Sequence, residues 1–315
     1  MHRAVMFIFR HTVELYLKMK IDNKGEIVPN KHNLLELSTI LGENISNEIT
    51  NCLPILMPDG EGDNFKYLVD KEGQSFYHND RLDALSSISS FIADESIKQT
   101  AIFPIKLDTK DKKLISEWTF YTGEVSSLGH IKSQYDALIS ALLSALQKKE
   151  LNISETYLPL HFLIRHSLEL AFKDNSLEVF KVLTQNKQKD CVQEHSLVKL
   201  FNIIVPFIKE VSDKLPEMDE IKKQIEKYLP MTEKLCETFH KLDSRSLSFR
   251  FPVDQKGNCI NIPFEKNMLF ESINAYQVAD AFISLSITLL KYEGYLMDDY
   301  PQIYDEYFIE NYGHP

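Results

Sequence analysis

The sequence predicts a mainly α-helical protein with small β-hairpins, arranged as two tandem helical bundles, and three observations carry that expectation. First, 315 residues at 36.6 kDa exceed one compact core of ordinary size and suit two. Second, 43% of residues are hydrophobic, 26% are charged, and only 10 are Gly and 12 Pro, the balance of a folded chain rather than a disordered or collagen-like one. Third, the chain contains itself twice.

The repeat is legible in three blocks. FIFRHTVELYLK near the start aligns without a gap with FLIRHSLELAFK, pairing Arg10 with Arg165, His11 with His166, Glu14 with Glu169 and Lys18 with Lys173. Downstream, His32-Asn33-Leu34-Leu35-Glu36-Leu37 answers His195-Ser196-Leu197-Val198-Lys199-Leu200. A third block pairs Asp59, Phe65-Lys66-Tyr67-Leu68-Val69-Asp70 and Gly73 with Asp243, Phe249-Arg250-Phe251-Pro252-Val253-Asp254 and Gly257, at identical internal spacing. Three matches in one order, with only the loops between them changing length, point to duplication of a unit of about 150 residues. The expected domains are therefore 1–150 and 151–315, with the boundary set by the repeat because no Pro-, Gly- or Ser-rich linker marks it.

The elements follow from apolar spacing. Leu158 to Lys173 carries Leu and Phe at helical intervals, with Pro159 near its start, where a missing N–H costs little. Further helices are expected over 195–211, 217–240 and 273–294, giving four per unit. Between the last two, FRFPVD, QKGN and CINIPF read as two extended runs around a Gly-containing turn, a β-hairpin, and FKYLVD, KEGQ and SFYHN read as its counterpart. The first unit holds an additional extended insertion near 99–121.

Charge and cysteine usage narrow the function classes. Thirty-five Lys and Arg against 46 Asp and Glu give a net charge of −11, which opposes nonspecific wrapping around DNA or an anionic membrane. Both halves are acidic. The four cysteines, Cys52, Cys191, Cys236 and Cys259, lie far apart with no CxxC pair, so no zinc ribbon or disulfide framework is expected, and a reducing cytoplasm fits. The opening VMFIF is broken by Arg10 and His11, and no apolar run approaches the roughly 20 residues of a membrane helix. No P-loop, dinucleotide fingerprint, HExxH, GxSxG or Cys/His cluster is present, so neither metal nor cofactor is expected.

The chemistry-bearing residues lie on the duplicated helix. At roughly 100° per residue, Glu169, Lys173 and His166 fall about 40°, 80° and 100° from Arg165, in one quadrant of an otherwise apolar helix. Arg10, His11, Glu14 and Lys18 repeat that arc. A carboxylate one turn from both an Arg and a Lys neutralises either and makes burial tolerable. Two readings follow. One is an ion network that pins the helix to its neighbours or joins the units. The other is a polar groove in which Arg and Lys hold a phosphate and a His moves protons. Metal-independent phosphoester cleavage needs a general base and a cation for the transition-state charge. His166 or His195 would be the base and Arg165 the stabiliser, with His11, His32 and Arg10 in the same roles in the first unit. Glu169, Lys173, Glu14 and Lys18, with Arg250 and Lys66 from the third block, complete the candidate binding set.

An apolar helix with Glu-x-x-x-Lys, a loop, and a helix opening with His-x-Leu-x-x-Leu resembles the HEPN superfamily of small α-helical domains. The similarity covers residues 1–50 and 157–211. It implies two HEPN-like bundles forming an intramolecular pseudo-dimer, in a family that includes ribonucleases of toxin–antitoxin, abortive-infection and CRISPR defence systems. The catalytic members carry an Arg followed four to six residues later by His in one helix, a spacing that neither Arg10 nor Arg165 has. The resemblance thus implies a prokaryotic defence or toxin-like protein that binds RNA or a nucleotide and is a candidate metal-independent endoribonuclease. The alternative is a noncatalytic, protein-binding adaptor of a defence complex.

Several residues invite a structural reading. Asp243 and Asp59 fit turns, Asp254 sets a turn, and the aromatic residues beside Arg250 dock the hairpin. His161 flanks the stripe, but Met6 replaces it in the first unit. Trp118, Phe120 and Tyr121 read as packing, and the acidic, tyrosine-rich end as a solvated last helix or docked extension.

Overall fold

The chain is described as a computed structural model over residues 2–42, 45–56, 62–63, 65–67, 81–82, 120–121, 127–183, 194–214, 219–243, 246–251, 259–260, 262 and 266–294. Among them are eight α-helices: α1 His2–Asn23, α2 Leu34–Leu41, α3 Asn47–Leu56, α4 Leu128–Gln147, α5 Ile153–Leu183, α6 Leu197–Lys214, α7 Asp219–Leu242 and α8 Lys266–Gly294. The chain is mainly helical, as the apolar periodicity predicts. None of the described helices is long and apolar enough to cross a membrane.

Two compact units divide the chain, Met1–Leu138 and Ile139–Pro315. The division falls inside α4, a dozen residues before the boundary expected from the repeat.

In the first unit α1 buries Ala4, Met6, Phe7, Phe9, Val13, Leu17 and Ile21, and packs on α2. It stops at Gly25, whose positive φ of 75° suits a residue without a side chain and whose N–H donates to the Asp22 carbonyl at 2.8 Å. The α2 start is fixed by Asn33, whose Oδ1 accepts from the N–H groups of Leu35 at 3.0 Å and Glu36 at 3.3 Å. The other end of α1 is tied to α4, where Gln134 Oε1 accepts from the Arg3 N–H at 2.8 Å.

In the second unit α5 packs on α6 and α8, and α7 packs on α6 and α8. The core is apolar and aromatic: Leu160, Leu163, Leu168, Leu200, Ile204, Leu235 and Phe282 are buried, and Phe201 lies 6.0 Å from both Phe172 and Phe282. Each such side chain contributes roughly 1.5–3 kcal/mol on leaving water. Helix α5 begins six residues before Pro159, which therefore lies inside the helix and not at its start. Pro159 and Glu155 are both exposed, so water can take the carbonyl that loses its partner. At α6, Ser196 Oγ accepts from the Lys199 N–H at 3.4 Å, while α7 opens with Asp219 and Glu220 and ends with His240 and Lys241, in keeping with its macrodipole.

The expected hairpins lie largely outside the described residues. Their opening residues fold as turns instead of extended strands: the N–H groups of Lys66 and Tyr67 both donate to the Asp63 carbonyl, and those of Arg250 and Phe251 both donate to Leu247. Of the insertion near 99–121, only Phe120 and Tyr121 are described, paired antiparallel with Leu82 and Arg81. The acidic C-terminal end and Trp118 also lie outside the described residues.

Candidate functional site

The duplicated helix places a carboxylate between two cations in each unit. In the first, Glu14 Oε2 accepts from Arg10 Nη1 at 2.9 Å, and Oε1 accepts from Lys18 Nζ at 2.8 Å. In the second, Glu169 Oε2 accepts from Arg165 Nη1 at 2.8 Å, and Oε1 from Lys173 Nζ at 2.9 Å. The i, i+4 spacing of Arg, Glu and Lys makes both contacts available along one helix face.

The next contact comes from the loop that precedes the following helix. His32 Nδ1 lies 2.8 Å from Glu14 Oε1, and His195 Nδ1 lies 2.9 Å from Glu169 Oε1. The same residues supply a backbone acceptor: Arg10 Nη2 donates to the His32 carbonyl and Arg165 Nη2 to the His195 carbonyl, each at 2.6 Å. Each Arg–Glu pair thus holds the helix to the loop through both the main chain and the side chain of one His. Four hydrogen bonds recur atom for atom in the two units.

These clusters are mostly sealed. Arg10, Arg165, Glu14 and Glu169 are each no more than 1% exposed. The imidazoles reach furthest into solvent, with 32% of the His32 side chain and 43% of the His195 side chain exposed, and Lys18 is partly exposed. Burial on its own would raise the Glu14 carboxyl; the hydrogen bond from His32 and the charge of Lys18 outweigh it and hold the group well below its ordinary range. At Glu169 burial likewise opposes ionisation, and the charge of Lys173, the hydrogen bond from His195 and the charge of Arg165 overcome it. Both carboxylates are therefore ionised in the folded chain over the physiological range.

In the second cluster the guanidinium also meets a turn. Arg165 Nε donates to the Asp243 carbonyl at 3.2 Å and lies 3.5 Å from Asp243 Oδ2. Asp243 Oδ1 accepts from the N–H groups of Leu247 at 2.7 Å and Ser248 at 2.9 Å. Sequence spacing identified Asp243 as a turn residue; its contact with Arg165 was not legible, because the two are far apart in the chain. Asp59, its counterpart, lies outside the described residues. The first unit nonetheless brings its own turn to the guanidinium: a Cβ on Gly62 would lie 3.0 Å from Arg10 Nη1.

His11 and His166 lie against aromatic rings. His166 stacks on Phe162 with centroids 5.6 Å apart and planes 11° apart, and His11 stacks on Phe7 at 5.9 Å and 6°. Arg250 lies 5.7 Å from the Phe162 centroid and 4.9 Å from that of Phe251. Lys66 lies 5.8 Å from Phe7 and 5.1 Å from Tyr67, and also pairs with Asp63 at 2.5 Å. The candidate residues therefore divide into two repeated groups, a carboxylate cluster and a cation–aromatic–imidazole stack. The helical wheel, which put both His residues in the charged stripe, missed the second group; the Phe four residues before each His, a spacing that puts the rings over one another, is the signal that would have found it.

The geometry has one chemical capability and one limitation. Donation of Nδ1–H to a buried carboxylate leaves Nε2 of a neutral His195 or His32 ring as the acceptor, on the more exposed side chain of the cluster, as a general base requires. Each guanidinium, in contrast, is sealed and committed to internal acceptors. An incoming phosphate would have to displace the Glu carboxylate and the His carbonyl. A cleft of about 170 Å³ between α6 and α7, lined by Val205, Ile208, Lys222, Ile225 and Leu229 among others, contains none of the cluster residues. Among the described residues, no group of three or more His, Cys, Asp and Glu is placed to hold a metal ion. Comparison with protein-family models, with curated proteins and with solved structures finds no match.

Proposed function

We propose that this chain is a noncatalytic, protein-binding adaptor of a prokaryotic defence complex, built from two diverged HEPN-like units that form a pseudo-dimer. Its Arg–Glu–Lys–His clusters serve as internal latches. The observation that carries the noncatalytic reading is the state of the two guanidiniums: Arg10 and Arg165 are 1% exposed, and each donates to a Glu and to a His carbonyl. A cation so engaged stabilises the fold and offers no anion site. The net charge of −11 supports a protein over a nucleic acid as partner. The defence setting rests on the resemblance of the helix motifs alone.

A second reading keeps RNA binding and metal-independent cleavage, and one observation favours it: His195 presents a half-exposed ring oriented by buried Glu169. Incubation of the purified chain with mixed RNA in EDTA separates the two. Intact RNA, with wild type and the His32→Ala, His195→Ala double variant indistinguishable, is the adaptor outcome. Fragments made by wild type and lost in that folded variant would establish cleavage and remove the adaptor reading.

A further inference from the structure

The second unit contains a buried imidazole that the first does not. His161 is 0% exposed, and its Nδ1–H donates to the Tyr157 carbonyl one turn back, at 3.0 Å. Nε2 is buried and has no hydrogen-bond partner among the described residues. Three aromatic rings surround the imidazole: Tyr157 at 4.5 Å between centroids, Phe249 at 5.2 Å and 24° between planes, and Phe239 at 6.0 Å. At the aligned position the first unit has Met6, also 0% exposed and uncharged at every pH.

We propose that His161 makes the second unit acid-sensitive: protonation of this ring releases the turn bearing Phe249 from α5, while the first unit, with Met6 in its place, keeps its packing. The ring donates already through Nδ1, so a proton on Nε2 would create a buried cation whose added N–H has no acceptor.

The surrounding charges do not relieve that cation. On its own helix, Arg165 follows one turn later and carries the same sign, with Glu169 already holding Arg165 and Lys173. From α7 come the buried Cys236 thiol, which burial keeps protonated, and the exposed Glu233, Glu237 and His240. From the adjoining turn come Asp243, whose carboxylate takes two backbone N–H groups and faces Arg165, and the half-buried Arg250 stacked on Phe162 and Phe251. Attraction between an imidazolium and the neighbouring ring faces offsets only part of the desolvation. The turn over residues 246–251 is the short element of the three around the ring, and so the one that yields.

The sign follows from linkage. Burial lowers the His161 pKa below its ordinary 6.5, opposed only in part by the hydrogen bond to Tyr157. Its contribution to stability is therefore complete above 6.5 and declines as pH falls below that value toward the folded-state pKa, because only the open form takes the proton. The opening equilibrium should rise about tenfold for each pH unit below 6.5 over that range.

The test is amide hydrogen exchange on the full chain between pH 7.5 and 5.0, corrected for intrinsic rates. It follows peptides covering 246–251 and α5 in wild type, His161→Met and His161→Gln. The expected result is a loss of protection over 246–251 below pH 6.5 in wild type, and a flat profile in whichever neutral variants fold. Tracking of His161 by NMR in wild type provides a second readout, with no titration until the turn opens. Equal acid sensitivity in wild type and a folded neutral variant would overturn the proposal, as would a His161 that titrates near 6.5 with the turn still protected.

Discussion

At the residue scale, one carboxylate per unit organises the cluster. Glu14 and Glu169 each compensate two cations and orient one imidazole, and their acidity in the folded chain is increased by those partners despite burial. A carboxylate with a lowered folded-state pKa contributes stability that is present above its unfolded value, about 4.5, and disappears as pH falls through the folded one. The part of the stability that these carboxylates contribute, measured by denaturant titration, should therefore hold at neutral pH and decline once the pH drops below about 4.5. In the Glu14→Gln, Glu169→Gln double variant this acid-dependent component should be reduced. The Arg, Glu and Lys members were legible in the sequence because i, i+4 spacing on a helix is a local property. The His member was only half legible. The helical wheel placed His166 in the stripe, but a Phe one turn earlier takes its ring, while His195 reaches Glu169 from a loop that no helical angle describes.

At the element scale, each unit joins its repeated helix to a loop and a turn, and each of these turns holds a residue of positive φ. Gly62 and Ser246, each three residues after the aligned Asp59 and Asp243, both have positive φ, 81° and 61°. Only glycine takes that conformation without a steric cost. Gly62→Ala should therefore lower stability by about 1–2 kcal/mol, since its Cβ is disfavoured by φ and lies 3.0 Å from Arg10 Nη1. Ser246→Gly should raise stability by up to about 1 kcal/mol, the relief of a left-handed serine less the entropy of a new glycine. Chemical unfolding of the two variants checks both signs. Helix positions were legible because buried Leu, Ile and Phe recur at helical spacing through α1 and α5 to α7. The opening residues of the hairpins were not: FKY and FRF have the aromatic character of strands, yet their backbone N–H groups turn back on Asp63 and Leu247. Hydrogen bonding within so short a run leaves no periodic trace in sequence.

At the scale of the whole molecule, repetition is the principal fact. Two compact units carry the same four cluster bonds, and each carries a cation–aromatic–imidazole stack. The repeated atom pairs are what duplication of one unit, expected from the aligned sequence blocks, would leave. The differences are equally informative. His161 stands where the first unit has Met6, and Arg250 where it has Lys66, so the second unit contains the group expected to respond to acid. Function was the least legible level. Residue types suited to phosphate chemistry lie in both helices, but burial commits the guanidiniums to internal acceptors, and burial is not written in residue type.

The claim that the clusters are latches is tested most directly by equilibrium unfolding of Glu169→Gln beside His195→Ala. Removal of the Glu169 charge takes away the carboxylate that Arg165 and Lys173 share in the interior and should cost about 3–5 kcal/mol. Loss of the half-exposed His195 ring should cost only about 1 kcal/mol. A Glu169→Gln variant as stable as wild type would contradict the latch.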